Sequence, residues 1–368
     1  MQKEIGSNFW LAPDDTKGEN NIMPNPEIFK CRGTDNVWMS TCRSAIALVI
    51  QTIEERNPQI NKVVCLPAFT CHTVFEPFIH KGYEVVTLSV GKDLRSNCMD
   101  LLNTIRQAEA GIVLLHRFFG FDTLPDIDSI VNELHDEGIV IIEDCTQSMY
   151  SDINRMDADY FVGSIRKWCG VPDGGFAVCK EGRFSIKPSE PDYDLQEAKR
   201  RASAMKYEYL FCQKGKKEDF LTLYRRAEDI LDTQSNYYAI SPLSVKVQTS
   251  LNVESMKEKR YMNYKSLLKS LKGIKGVTPI FNDIDENIVP LYLPILVDKR
   301  KDIQSLLVKN AIYAPIVWPK DDSCPIVCKD ADFLYEHILC IPIDQRYDND
   351  DMERIGKVIQ DYNLTDKR

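Results

Sequence analysis

The chain has 368 residues, 43% of them hydrophobic and 27% charged, with a formal net charge of -9 at pH 7. That length accommodates about two domains with ordinary globular cores. The negative balance argues against a dedicated nucleic-acid binder, which carries a basic face, but leaves room for a phosphate ligand held by a few amides and cations. The longest apolar runs, such as Gly138-Ile139-Val140-Ile141-Ile142, are strand-sized and well short of the roughly 18 residues a membrane helix needs. Met1-Gln2-Lys3-Glu4-Ile5 lacks the basic-then-apolar pattern of a signal peptide. No membrane association and a cytoplasmic location are therefore expected. The twelve cysteines are scattered without a Cys-x-x-Cys pair, and Cys324 and Cys328 have no second ligand pair nearby. They read as reduced, buried apolar residues rather than as a zinc site.

In chain order, the first 35 residues are polar and rich in Pro and Asn, and read as an extended arm. Ser44 to Ile53 has helical periodicity, and Lys62 to Pro67 is a short strand stopped by its proline. Thr73 to His80 reads as a helix containing Pro77. Glu84–Leu88 and Ile112–His116 are strands, Asp126 to His135 is a helix, and Val140 to Glu143 and Gly175 to Cys179 are further strands. Strand-sized apolar runs alternating with helices predict an α/β domain with a mostly parallel sheet. Such sheets bind ligands beyond the carboxyl ends of their strands, where Phe69 to His72, His116 and Asp144 fall. The charged stretch Glu190 to Lys217 reads as helical past Pro191. A long helix is expected from Val245 toward Leu271. Val289 to Val297, Ile303 to Lys309 and Met352 to Ile359 suggest a smaller α/β unit. The expected division is an arm over 1–35, a large domain over 36–245 and a small C-terminal domain over 246–368, with the cut placed to within about ten residues.

Three stretches carry chemistry. Ile141-Ile142-Glu143-Asp144-Cys145-Thr146-Gln147-Ser148 is a hydrophobic strand ending in a carboxylate. Alone, Asp144 is equally a helix cap or a metal ligand. Gly163-Ser164-Ile165-Arg166-Lys167-Trp168, followed by Pro172-Asp173-Gly174-Gly175, puts a lysine in a loop with a serine before it and paired glycines after. Pyridoxal phosphate (PLP) chemistry uses such a set: an amine to attach the aldehyde, a hydroxyl and amides for the phosphate, and an aspartate to keep the pyridine nitrogen protonated. Without Asp144, Lys167 reads as part of a solvated basic loop. Trp38-Met39-Ser40-Thr41-Cys42-Arg43-Ser44-Ala45-Ile46 leads small hydroxyl residues into an apolar helical pattern. That is an N-cap signature and also a phosphate seat. Arg43 in the first turn opposes the helix dipole, which suggests an anion nearby.

In this order and spacing, the three stretches resemble the DegT-type nucleotide-sugar aminotransferases, a fold-type I PLP family, over nearly the whole chain. Cys65-Leu66-Pro67-Ala68-Phe69-Thr70 is similar to the family's strand-proline-threonine turn, which precedes a cofactor-stacking residue. Leu115-His116-Arg117-Phe118-Phe119-Gly120 resembles its His-Leu-Tyr-Gly segment, and Glu143-Asp144-Cys145-Thr146-Gln147 its Glu-Asp-Ala-Ala-Gln motif. The resemblance implies Asp144 at the pyridine nitrogen, Gln147 near the phenolic oxygen, Lys167 as the cofactor lysine and Ser164 at the phosphate. It also implies phosphate contacts from Thr41, Cys42 and Arg43, a stacking position at Cys71 or His72, and Asn236 of Ser235-Asn236-Tyr237-Tyr238 reaching the phosphate of a partner subunit. Ile338-Leu339-Cys340-Ile341-Pro342-Ile343 is similar to the closing Leu-Pro strand. The sequence departs from the family where Thr41-Cys42-Arg43 replaces Ser-Gly-Thr, where Ser164 lies closer to the lysine, and where no aromatic ring stands at Cys71.

By this resemblance the fold is a fold-type I PLP-transferase, with a large domain around a mostly parallel sheet and a smaller C-terminal α/β domain. The implied activity moves an amino group from an amino acid such as glutamate to a nucleotide-linked keto-sugar in polysaccharide biosynthesis, in a cytoplasmic homodimer with small-molecule substrates. The lysine argues against the family's dehydratase branch, which carries histidine there. A PLP lyase, an aminotransferase for a non-sugar substrate and a non-catalytic protein on the same fold are the alternatives. A nicotinamide enzyme is disfavoured because no Gly-x-Gly-x-x-Gly follows an early strand.

Overall fold

A computed structural model describes residues 3–17, 22–233 and 236–365. Met1 and Gln2 of the N-terminal pattern, residues 18–21 of the arm, and Ser235 lie outside the described residues. The chain forms two compact units that interleave in sequence: Met1–Ser7 with Asn61–Ala158 and Val253–Arg368, and Asn8–Ile60 with Asp159–Asn252. The unit edges fall at 7/8, 60/61, 158/159 and 252/253.

The first unit holds four parallel strands, ordered Val140–Asp144, Ile112–His116, Val63–Pro67 and Glu84–Leu88. The helices His72–His80, Cys98–Gln107 and Asp128–Asp136 follow three of them. Every residue of Ile112–His116 is buried. This is why the strand is a continuous apolar run rather than an alternating one. The same unit carries an antiparallel sheet ordered Ile338–Ile341, Leu293–Val297 and Val277–Pro279, with the helices Val253–Leu271, Arg300–Lys309, Lys329–His337 and Asn349–Thr365. A short parallel pair joins Ile5–Gly6 to Ile312–Tyr313.

The second unit places Gly175–Cys179 between Asp35–Met39 and Tyr160–Ser164, antiparallel to both. Its helices are Cys42–Arg56, Tyr193–Phe211, Lys217–Thr233 and Pro242–Ser250. Tyr193–Phe211 and Lys217–Thr233 pack on each other through Leu195, Ala198, Ala227 and Leu231, and through Ala202, Phe220 and Tyr224.

The single helix expected from Val245 is instead two, Pro242–Ser250 and Val253–Leu271, because Leu251 adopts an extended backbone. The arm is not uniformly extended. Pro13 and Pro26 each open a short 3-10 turn, the first position being one where a missing N–H costs nothing. Asn8 and Phe9 accept hydrogen bonds at their carbonyls from Lys206 Nζ and Tyr224 Oη. Among the described residues, no helix is long and apolar enough to cross a membrane.

Candidate active site

In the first unit the candidate residues gather at the carboxyl ends of the parallel strands. Asp144 ends its strand, is buried, and accepts at Oδ1 from the backbone N–H of Thr146 at 2.8 Å. Successive strand side chains point to opposite faces, so Glu143 has a different environment. It is fully buried and accepts from Arg117 Nη1 at 2.8 Å, Arg155 Nη1 at 3.2 Å and the Met156 amide at 3.0 Å. Gln147 Oε1 accepts from the Phe119 amide at 3.0 Å, which leaves the amide nitrogen as the end that can donate to a ligand oxygen.

His116 is the register partner of Asp144. It is buried, and its Nε2 lies 2.9 Å from Thr70 Oγ1. Burial pushes the imidazole down to about 4, so the ring is neutral at physiological pH. Tyr335 Oη in turn donates to the Thr70 carbonyl at 2.9 Å. Aromatic rings enclose this corner: Phe118 lies 4.5 Å and Trp318 6.0 Å from the His116 ring, and Phe69 lies 5.4 Å from Trp318.

Cys71 caps the helix His72–His80 without a side-chain cap bond, and its sulfur accepts from Thr73 Oγ1 at 3.1 Å. The half-exposed His72 lies 3.5 Å from Glu76. Contact with Cys71 raises the His72 pKa, and Glu76 and Asp321 add to the rise against partial burial.

In the second unit Thr41 is the N-cap of Cys42–Arg56, its hydroxyl accepting from the Ser44 amide at 3.0 Å. The anion expected beside Arg43 belongs to the chain itself: Nη2 lies 3.3 Å from Asp232 Oδ1, and Nη1 donates to the Leu231 carbonyl at 3.2 Å. Both partners sit in the last turn of Lys217–Thr233, where a cation complements the helix dipole. Ser164 closes the strand Tyr160–Ser164, and the 3-10 turn Ile165–Lys167 follows directly, leaving Lys167 exposed. Ser164 Oγ donates to the Gly174 carbonyl at 3.3 Å. A Cβ on Gly175 would lie 2.3 Å from the Thr41 carbonyl carbon and 2.5 Å from the Cys42 nitrogen, so only glycine lets these backbones approach. Asn236 is exposed, and its Nδ2 donates to Tyr238 Oη at 3.2 Å.

Two features of this unit go beyond the sequence pattern, in which Ser40 is, like Thr41, a cap candidate. Ser40 Oγ is fully buried and has no hydrogen-bond partner among the described residues, a costly state for a hydroxyl. It directly precedes the N-terminus of a 15-residue helix, where an anion is favoured. An unsatisfied donor beside a helix N-terminus, in the same unit as an exposed lysine, fits a cofactor that carries both a phosphate and an aldehyde. The second feature is Lys199, whose buried amine donates to Glu228. Burial first, then the neighbouring Arg166, lowers its pKa to about 8, and Glu228 lies 3.6 Å from Arg166. Its place in a highly charged helical stretch gave no sign of burial. The Ser40 signal was visible only as a hydroxyl next to the cap.

No protein-family model matches the sequence, and no curated protein matches it. Solved structures do resemble the fold. The sugar aminotransferase CalS13 from Micromonospora echinospora superposes with a TM-score of 0.66 over 98% of this chain and 99% of its own, at 16% identity. PseC from Helicobacter pylori, an aminotransferase involved in pseudoaminic acid biosynthesis, gives 0.68 over 99% and 100%, at 13% identity. A DegT DnrJ EryC1 StrS aminotransferase from Brucella abortus gives 0.63 over 96% and 91%, at 18% identity. The chain thus shares its α/β fold with these aminotransferases over 96–99% of its length.

Proposed function

We propose that this chain is a PLP-dependent aminotransferase of the DegT type, acting on a sugar substrate, with Lys167 as the cofactor lysine and Asp144 as the partner of the pyridine nitrogen. The observation that carries the reading is the second unit's arrangement: an exposed lysine one turn past Ser164, with the orphan Ser40 hydroxyl and the Thr41 cap held close to Gly175. The whole-length fold shared with sugar aminotransferases supports it. The bound cofactor would supply an electron sink for a carbanion next to nitrogen. Ser40, Thr41 and Ser164 would bind its phosphate, with Cys42 and Arg43 at the same helix start. Asp144 would hold a proton on the ring nitrogen, Gln147 would donate to the ring oxygen, and Cys71 or His72 would lie against the ring. The Lys167 amine would move a proton between the donor carbon and the cofactor carbon. The finer assignment is glutamate as donor and a nucleotide-linked keto-sugar as acceptor, in polysaccharide biosynthesis in the cytoplasm.

The test is a half-reaction. Protein saturated with PLP is mixed with candidate amino acids while its absorption is followed, and glutamate is expected to convert the cofactor. A cofactor that responds to no donor would favour a non-catalytic protein on this fold. In the same assay Asp144→Asn should slow conversion by about a hundredfold or more while retaining most of the PLP, since ring protonation and phosphate anchoring depend on different residues. Equal half-reaction rates for variant and wild type would reduce Asp144 to a structural strand terminus.

We further propose a homodimer in which Asn236 reaches the partner subunit's cofactor phosphate. Tyrosines 237 and 238 beside it are of the type enriched at interfaces, and two-fold assembly is common among soluble enzymes. Mixing Lys167→Ala and Asn236→Ala chains should restore part of the activity, because one site of the mixed dimer then carries both lesions and the other neither. The measurement requires that Asn236→Ala alone be impaired. A monomer by sedimentation, or no recovery despite proven subunit exchange, would refute the shared site.

A further inference from the structure

The sequence reading gave Asp173 no role beyond preceding two glycines, yet among the described residues it is the most completely enclosed carboxylate of the second unit. Its oxygens accept from the Ser241 amide at 3.1 and 3.3 Å, from Ser241 Oγ at 2.7 Å, and from Ser244 Oγ. Ser244 Oγ also lies 3.0 Å from the Asp173 carbonyl and 3.3 Å from its amide nitrogen. Ser241 is the N-cap of Pro242–Ser250, so the carboxylate sits where the helix dipole favours negative charge and where its hydrogen bonds are charge-assisted. Burial raises its pKa to about 6 against the opposing pull of Ser244 and Ser241, which leaves it ionised at neutral pH.

A capping role alone would end at that helix, but the next residue extends the connection. The Gly174 amide donates to the Ser40 carbonyl at 2.7 Å, and the Gly174 carbonyl accepts from the Ile165 amide at 3.1 Å as well as from Ser164 Oγ. Gly174 therefore joins the residue before the Thr41 cap to the first residue of the lysine turn. It does so at φ +130°, and a Cβ there would lie 2.6 Å from Ile165 Cγ1. This is a conformation that glycine reaches without strain. A glycine has no side chain with which to fix itself, so its position must come from a neighbour.

We infer that Asp173 is a positioning residue: by anchoring to Ser241 and Ser244 it holds Gly174 as the common tie between the turn bearing Lys167 and the start of the helix Cys42–Arg56. The consequence at Lys167 rests on the reading of that lysine as the cofactor lysine; the tie itself does not.

Amide hydrogen exchange on the full chain without added cofactor tests the tie. In Asp173→Asn, which removes the charge and sets an amide N–H where Oδ2 meets the Ser241 N–H while the remaining oxygen can still accept from the two hydroxyls, exchange at Ile165 and Ser44 should accelerate at least about tenfold, the loss expected when a charge-assisted hydrogen bond is removed. Helix Tyr193–Phe211 should keep its protection. Acceleration confined to residues 241–250, or none, would reduce Asp173 to a cap and overturn the inference. Should the Asn variant not fold, Ser244→Ala removes one donor and leaves the other in place, and the same pattern at smaller amplitude is expected; its absence is equally decisive. PLP added to the same proteins and trapped with borohydride gives a separate readout. Asp173→Asn should form the Lys167 adduct about tenfold more slowly than wild type, and an unchanged rate would count against positioning. If wild type itself forms no Lys167 adduct, the cofactor reading falls while the exchange data still judge the tie.

Discussion

Lys167→Ala is expected to lose the borohydride-trapped PLP adduct and to lower amino transfer by about 10²- to 10⁴-fold or more, the range attributed to a positioned general acid–base group. Peptide mapping of the wild-type adduct should place it on Lys167. The competing amine in the same unit is Lys199. Its lowered pKa of about 8 leaves a larger neutral fraction near physiological pH than an ordinary lysine has, which alone would make it the better nucleophile. Geometry reverses that ranking. Lys199 is buried and donates to Glu228, whereas Lys167 is exposed on a turn. An adduct on Lys199 in cofactor-saturated protein would transfer the role to the helical pair and sink the assignment. Glu228→Gln separates the two cases: it frees Lys199 from its ion pair, and the adduct should still map to Lys167.

Much of this arrangement was legible in the sequence because burial on both faces leaves a plain signature. Val63–Pro67, Ile112–His116 and Val140–Asp144 are largely apolar runs of strand length, the first stopped by proline and the other two ending in polar residues. The strands that escaped notice lack that signature. Asp35–Met39 opens with Asp-Asn, leaving an apolar run of only three residues, and is only half-buried over most of its length. Tyr160–Ser164 ends in Gly-Ser and resembles a loop. Cys98–Gln107 is a helix whose polar face interrupts its apolar one. Residue types marked the candidates Asp144 and Lys167, because their chemistry is recognisable locally. The residues that depend on distant partners could not be read this way. His116 is made neutral by its burial and is held by Thr70, Arg43 finds its anion at Asp232, and Asp173 finds its donors at Ser241 and Ser244. Each of these pairs is set by tertiary packing, which no local pattern encodes.

The adjacent acids Glu143 and Asp144 give the sharpest contrast between structure and chemistry. Strand alternation sends Glu143 to the face opposite Asp144, where it is the shared acceptor for two almost fully buried guanidinium groups and one amide. Arg117 retains a second carboxylate, Asp122, at 2.8 Å, but that partner is 40% exposed. Arg155 also donates to Ser148, at Oγ and at the carbonyl. Removing the shared carboxylate leaves two cations facing each other in a desolvated pocket, and breaking such a pair costs about 3–5 kcal/mol. Glu143→Ala should therefore lower the urea midpoint by that equivalent at an unchanged slope. Glu143→Gln, which keeps the volume and one acceptor oxygen, should lose less, because Arg117 and Arg155 can still share that oxygen. Asp144→Asn should leave the midpoint within about 1 kcal/mol of wild type, since the Thr146 amide needs only one acceptor oxygen. A Glu143→Ala midpoint indistinguishable from wild type would mean that water enters to solvate the two arginines and that the triad does not stabilise the first unit. A large loss for both neighbours would contradict the separation of roles between the two faces of this strand.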